Sequence, residues 1–103
     1  MKTSSALVAG VLAVCGSTAQ AENIPVGAAP KGNATAVATR IIKYNFPNCQ
    51  SVSGASRRSD GAIRATCDNI AYLVFTVFKA DEGKLLEVAM NCEAAKKLTG
   101  TGC

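Results

Sequence analysis

Residues 70–91, IAYLVFTVFKADEGKLLEVAMN, decide the fold of this chain. The first part, 70–79, is rich in aromatic and β-branched residues and apolar on both faces, which is typical of a central strand. Asp81-Glu82-Gly83 is a turn signal, and residues 85–91 form a second strand pattern. We therefore expect an antiparallel hairpin whose first strand lies inside a sheet.

The register of this hairpin follows from its alternation. If Lys79 pairs with Lys84, apolar residues of both strands share one face. These residues are Leu73, Phe75 and Val77, opposite Met90, Val88 and Leu86. The same register would place Cys92 on that face, opposite Ala71.

A helix is expected before the sheet, over residues 34–45. Asn33 can cap its first turn, and apolar residues recur at helical spacing from Ala34 to Ile41. Pro47 should end it, because the residue before a proline avoids helical geometry.

Two further strands are expected between this helix and the hairpin. They cover 49–54 and 62–67, on either side of the polar bend 55–61. A short helix over 93–98, ended by Gly100, should close the chain with Ala94, Ala95 and Leu98 facing inward.

The resulting element order is α-β-β-β-β-α, which predicts an α+β fold. We expect a small antiparallel four-stranded meander, flanked by the N-terminal and the short C-terminal helix, with both helices on one face. Residues 34–103 would form a single domain. Residues 22–33, ENIPVGAAPKGN, are predicted to be a flexible leader.

Residues 1–21 have the pattern of a secretory signal peptide. Lys2 precedes the short apolar run 6–14, and Ala19-Gln20-Ala21 is a small-x-small cleavage signal. The run is much shorter than the roughly 20 residues of a membrane span, so we expect an exported protein, periplasmic or secreted. The alternative is a lipoprotein modified at Cys15, but Val14 is bulkier than the small residue that normally precedes a lipidated cysteine.

The remaining cysteines predict two disulfides. Cleavage after Ala21 removes one of five cysteines and leaves Cys49, Cys67, Cys92 and Cys103, and an even number in a small exported domain indicates disulfides. Cys49 and Cys67 are equidistant from Arg58, so a hairpin centred there brings them together. Cys49–Cys67 with Cys92–Cys103 is the favoured connectivity, and Cys67–Cys92 with Cys49–Cys103 is the alternative.

No catalytic, metal or cofactor site is expected. The chain has no histidine, and its cysteines lack the close spacing of zinc ligands or of a CxxC redox motif. Asp60 and Asp68 lie next to turn residues, which favours conformational roles over acid–base chemistry. No nucleotide-binding glycine loop is present.

Arg57, Arg58 and Arg64 are the one local concentration of charge, and two interpretations apply. They could contact an anionic partner, such as an acidic protein or another anionic ligand of the cell envelope. Alternatively, they belong to a solvated hairpin tip whose charges discourage edge-to-edge association. Nucleic-acid binding is not expected, because the net charge of +4 is modest and the aromatic residues lie mainly in the core strand.

The segments NFPNCQSV (45–52), RRSDGAIRATC (57–67) and YLVFTVFKADEGKLLEVAMNC (72–92) resemble small exported bacterial domains of the PepSY type. The resemblance covers about residues 34–91 and rests on Pro47, the Asp60-Gly61-Ala62-Ile63 turn and the strands that follow. The four cysteines depart from that family's pattern. The resemblance implies a non-catalytic module that binds or restrains a partner, and it assigns no functional residue.

The function expected from the sequence is therefore a small exported non-enzymatic binding module, for example an inhibitor or accessory protein in the cell envelope. The alternatives are a structural component of an envelope assembly and a small secreted hydrolase.

Mass spectrometry of the exported protein tests the processing and the cysteine chemistry together. We expect a mature chain that begins at Glu22, carries no lipid and has no free thiol without reductant. Four free thiols in that chain would contradict the disulfide prediction.

Overall fold

The computed structural model describes residues 24–103, so the predicted signal peptide and Cys15 lie outside the described residues. The helix α1 (Ala34–Asn45) precedes four strands, β1 (Val52–Arg57), β2 (Ile63–Cys67), β3 (Ile70–Lys79) and β4 (Lys84–Asn91), and the helix α2 (Cys92–Thr99) follows them. The strands form one antiparallel sheet in the order β1-β2-β3-β4. The predicted α+β meander is confirmed.

The β3–β4 hairpin has the predicted register. Lys79 lies opposite Lys84, and the three apolar pairs on the shared face are those expected from the alternation. The pairing ends at Tyr72 and Asn91, because the Asn91 side chain caps α2 by accepting a hydrogen bond from the backbone of Ala94. The prediction that Cys92 lies opposite Ala71 is therefore wrong, since Cys92 begins the helix.

The two helices lie on opposite faces of the sheet, and the expectation that both pack on one face is wrong. Tyr72 and Val74 of β3 belong to the core that holds α1, whereas Leu73 and Phe75 pack with Ala95 of α2. Side chains along a strand alternate between its faces. A strand that is apolar on both faces needs a packing partner on each side of the sheet. Helices that all lay on one side could not provide this.

The end of α2 also differs from the prediction. Ala95 and Thr99 are buried, whereas Leu98 is 47% exposed instead of facing inward. The Thr99 hydroxyl donates to the carbonyl of Ala95 at 2.6 Å and accepts from the backbone of Thr101 at 3.0 Å. These bonds satisfy the hydroxyl and make burial of this polar side chain possible.

The first strand begins later than predicted, at Val52 instead of residue 49. The backbone N–H of Cys49 donates to the carbonyl of Phe46, so the chain is still turning there. Val52, not Cys49, lies opposite Cys67, and the β1–β2 register shifts between Ser53 and Ser56. A disulfide nevertheless joins Cys49 to Cys67, with Cα atoms 6.0 Å apart.

The second disulfide joins Cys92 to Cys103. The favoured connectivity is therefore confirmed, and the alternative pairing is not formed. Cys49 and Cys67 are both in the core on the α1 side of the sheet, so this bridge is part of the packing as well as a cross-link.

Residues 24–33, expected to be a flexible leader, make specific contacts with the sheet. Gly27 forms an antiparallel bridge to Thr76, and the Ile24 N–H donates to the Leu98 carbonyl. A Cβ at Gly27 would lie 2.7 Å from the Thr76 hydroxyl oxygen, so the approach requires glycine. Val26 packs in the α2-side core and Ala29 in the α1-side core, which makes this segment part of the domain.

Removing either disulfide should destabilise the domain. For closed loops with sequence separations of 18 and 11 residues, the chain-entropy model gives about 3 kcal/mol each, slightly more for the longer loop. Paired Cys→Ala variants, unfolded in guanidinium chloride without reductant, measure both values. The Cys49/Cys67 variant should lose more, because it also leaves a gap in the core; a larger loss for Cys92/Cys103 would contradict this ranking.

Candidate functional site

Arg57 acts as a clamp on the segment that precedes α1. One terminal guanidinium nitrogen donates to the carbonyls of Ala29 (3.2 Å) and Gly61 (2.9 Å). The other donates to the carbonyls of Pro30 (2.9 Å) and Gly32 (3.2 Å). The planar guanidinium thus donates to four backbone carbonyls outside the helices and strands, of which the Gly61 carbonyl also accepts from the backbone N–H of Ala29.

Arg58 makes the equivalent contact at the other end of the chain. Its guanidinium donates to the Gly102 carbonyl and pairs with the Asp60 carboxylate, both at 2.7 Å. Asp60 also accepts a hydrogen bond from the Ala62 backbone, a conformational role that its turn context indicated. Arg58 therefore ties the C-terminal segment to the β1–β2 turn.

Contact of these three arginines with an anionic partner stays a prediction. Arg57 and Arg58 use guanidinium donors on backbone carbonyls within the domain, and Arg64 lies exposed in the middle of β2. Neither sequence interpretation anticipated this structural use. This role of Arg57 and Arg58 could not be predicted from the sequence, since it depends on carbonyls about 25 to 44 residues away from them.

A groove lies between the C-terminal half of α1 and β4. Its volume is about 910 Å³. Its lining combines cationic, aromatic and aliphatic side chains with strand backbone: Arg40, Lys43, Tyr44, Asn45, Leu85, Leu86, Glu87 and Val88.

One ion pair joins the two walls of this groove. Arg40 of α1 donates to both carboxylate oxygens of Glu87 in β4, at 2.6 and 3.3 Å. These hydrogen bonds, and then the opposite charge, raise the pKa of Arg40 above its ordinary value. The pair leaves Lys43, which forms no salt bridge within residues 24–103, as the cation without a carboxylate partner at the groove.

The groove borders an edge of the sheet whose backbone is open. Thr76 of β3 exchanges backbone hydrogen bonds with Gly27, at 2.8 and 3.2 Å, so its polar groups point away from β4. Thr76 is paired with Glu87. Since the pattern alternates in an antiparallel ladder, the N–H and C=O groups of Leu85, Glu87 and Ala89 point to the outer edge.

Exposed apolar side chains lie beside this open edge. Tyr44 is 84% exposed, Leu85 65% and Leu86 39%. Leu85 and its pairing partner Phe78 share the α1 face of the hairpin, whereas Leu86 lies on the opposite face. An edge strand with open backbone groups and apolar flanks is a template for pairing with another chain.

The opposite edge of the sheet is protected differently. β1 carries the register shift between Ser53 and Ser56, and Gly54 within it has a φ of +61°. A bulge bends an edge strand and discourages further pairing. The described β4 residues contain neither a bulge nor a proline.

The sequence alone missed this groove, although weak signals were present. Leu85 and Leu86 are consecutive apolar residues beside a turn, so their side chains must point to opposite faces of the sheet. Arg40 and Lys43 are polar positions of an amphipathic helix, which carry no special pattern. Only the packing of α1 beside β4 brings these residues together.

No group of three or more histidine, cysteine, aspartate or glutamate residues is placed to hold a metal ion in residues 24–103. No helix among these residues is long and apolar enough to cross a membrane.

Comparison of the chain with protein-family models, with curated proteins and with solved structures finds no match.

Replacing Arg57 should destabilise the domain although the residue lies at the surface. Arg57→Ala removes one charged donor group from four carbonyls, and we expect a loss of about 1–2 kcal/mol, lowering Tm by roughly 4–16 °C. Arg57→Lys should recover little, because an ammonium cannot reproduce the planar fork. Arg64→Ala is the matched control, with an expected change below about 0.5 kcal/mol; equal effects of the two alanine variants would refute the clamp.

Proposed function

We propose that this chain is a small exported, non-enzymatic binding module that captures an extended segment of a partner protein at the outer edge of β4. The open backbone edge beside the α1–β4 groove is the observation that carries the proposal. An added strand would pair its backbone with Leu85, Glu87 and Ala89, and its side chains would reach the groove.

The geometry of the groove suits strand addition better than capture of a small molecule. One wall is strand backbone and the other is the side of a helix, so the groove is elongated along β4 and open to solvent. The Arg40–Glu87 pair already joins these walls in the free chain. A preformed site loses less conformational freedom on binding than one that must be ordered.

The chemistry of the groove supports binding over catalysis. Its one carboxylate, Glu87, is engaged by Arg40. No histidine exists in the chain to act as a base. A role as inhibitor or accessory protein of the cell envelope fits the predicted export, the two disulfides and the resemblance to PepSY-type domains. That resemblance stays a prediction.

Photo-crosslinking in the exporting host tests where a partner binds. A photoreactive amino acid at Leu85 should give an adduct of one discrete mass, whereas the same group at Arg64 should give none. Both positions are exposed, so the comparison separates the groove from the basic residues. An adduct at Arg64 alone would assign binding to the basic surface, and no adduct at either position in the exported protein would contradict the binding-module proposal.

A second variant tests whether the backbone edge is used. With the photoreactive group at Tyr44, Leu85→Pro should abolish the adduct, because proline removes an outward N–H. The ladder to β3 should survive, since that N–H is not part of it. Leu85→Ala keeps the N–H and should retain most of the adduct; an adduct unaffected by Leu85→Pro would rule out strand addition.

A further inference from the structure

The charges and faces of β4 also indicate what kind of segment it would receive. This inference rests on the proposed function and names the partner's chemistry at the same site. We propose that β4 receives a strand in which acidic residues alternate with apolar residues, the acidic side chains on the α1 face and the apolar side chains on the α2 face.

The acidic positions follow from the α1 face of the groove. Side chains of an added strand on this face would lie between β4 and the C-terminal half of α1, near Arg40 and Lys43. Glu87, the carboxylate on this face, is already neutralised by Arg40. Lys43 therefore leaves a net positive charge, which an acidic side chain complements.

The apolar positions follow from the opposite face of β4. Leu86 is 39% exposed and Val88 is only partly buried, and both point to this face. An added strand would place alternate side chains directly beside them. Apolar side chains there would continue the α2-side core of Val77, Val88 and Met90 and remove exposed surface from water.

A second copy of the chain is a poorer occupant of this edge. β4 itself, KLLEVAMN, has a single acidic residue, and that residue is held by Arg40. The chain's net charge of +4 also opposes self-association.

The test uses synthetic peptides of eight residues, the length of β4, and the disulfide-bonded mature protein. A peptide that alternates glutamate and valine should bind saturably by fluorescence anisotropy. The same peptide with lysine in place of glutamate should bind at least about tenfold more weakly. Equal affinity for the two peptides would overturn the acidic assignment.

A charge exchange on the protein sharpens this result. Lys43→Glu should weaken binding of the glutamate peptide and strengthen binding of the lysine peptide, each by several-fold. Lys97→Glu is the matched control, since Lys97 is also a lysine in the last turn of a helix but lies on α2. If both variants changed the affinities equally, a general effect of net charge would replace the proposed contact.

N-methylated peptides test the strand pairing without altering the protein. Methyl groups on the backbone nitrogens of the glutamates and of the valines give two series, and an added strand turns only one set toward β4. One series should lose binding and the other should keep it. If both series bound or both failed, the peptide would not be an added strand, and the proposed mode would be wrong.

The oligomeric state separates failure of this inference from failure of the proposed function. Analytical ultracentrifugation of the free protein should show a monomer. A dimer that dissociates on Leu86→Lys would mean that a second copy occupies the edge, overturning the inference. A third outcome is a monomer that binds no peptide while Leu85 still crosslinks a partner. The groove would then remain the proposed binding site, and the acidic–apolar pattern of the partner strand would be wrong.

Discussion

The burial of β3 on both faces is the constraint on which the rest of this structure depends. A strand whose consecutive residues 72–76 are all buried needs neighbours on both sides and a cover above and below. β2 and β4 supply the neighbours. α1 covers one face and α2 the other, so the position of each remaining element follows from its relation to this strand.

A domain of this size cannot depend on its core alone. The α2-side core is small, with Leu73 and Phe75 as its large fully buried side chains, and small domains are marginal without additional cross-links. The segments that flank the sheet are therefore fastened to it by cross-links and side-chain hydrogen bonds. The two disulfides tie the loop before β1 to β2 and the C-terminus to the start of α2. Arg57 fastens the segment before α1, and Arg58 the C-terminal segment, to the β1–β2 turn.

The two edges of the sheet are treated unequally, and this asymmetry bears on function. β1 is irregular and has a bulge, and Gly27 bridges β3 at Thr76, beyond the end of β2. β4 is regular along its length and apolar on both flanks of its open edge. Among the described strands, β4 is thus the one whose outer edge is suited to pairing, and the Arg40–Glu87 pair spans the adjacent groove.

The sequence by itself determined the local elements and their register. The ranges of α1 and β3, the pairing of Lys79 with Lys84 and the caps at Asn33 and Gly100 all follow from short-range patterns, whereas the sequence left two disulfide connectivities open. Hydrophobic alternation and capping are local properties, and a hairpin aligns its strands through its own turn. These features could therefore be predicted without knowledge of the whole fold.

The tertiary structure alone decided which face each helix covers, what the arginines do and where the groove lies. Alternation shows that β3 has two apolar faces, but it does not assign α1 or α2 to either. Arg57 and Arg58 looked like a charged loop, because the carbonyls that they bind belong to segments distant in sequence. The groove likewise joins Tyr44 to Leu85 through packing alone. The two residues are far apart in sequence, and no periodicity along the chain relates a helix residue to a distant strand edge.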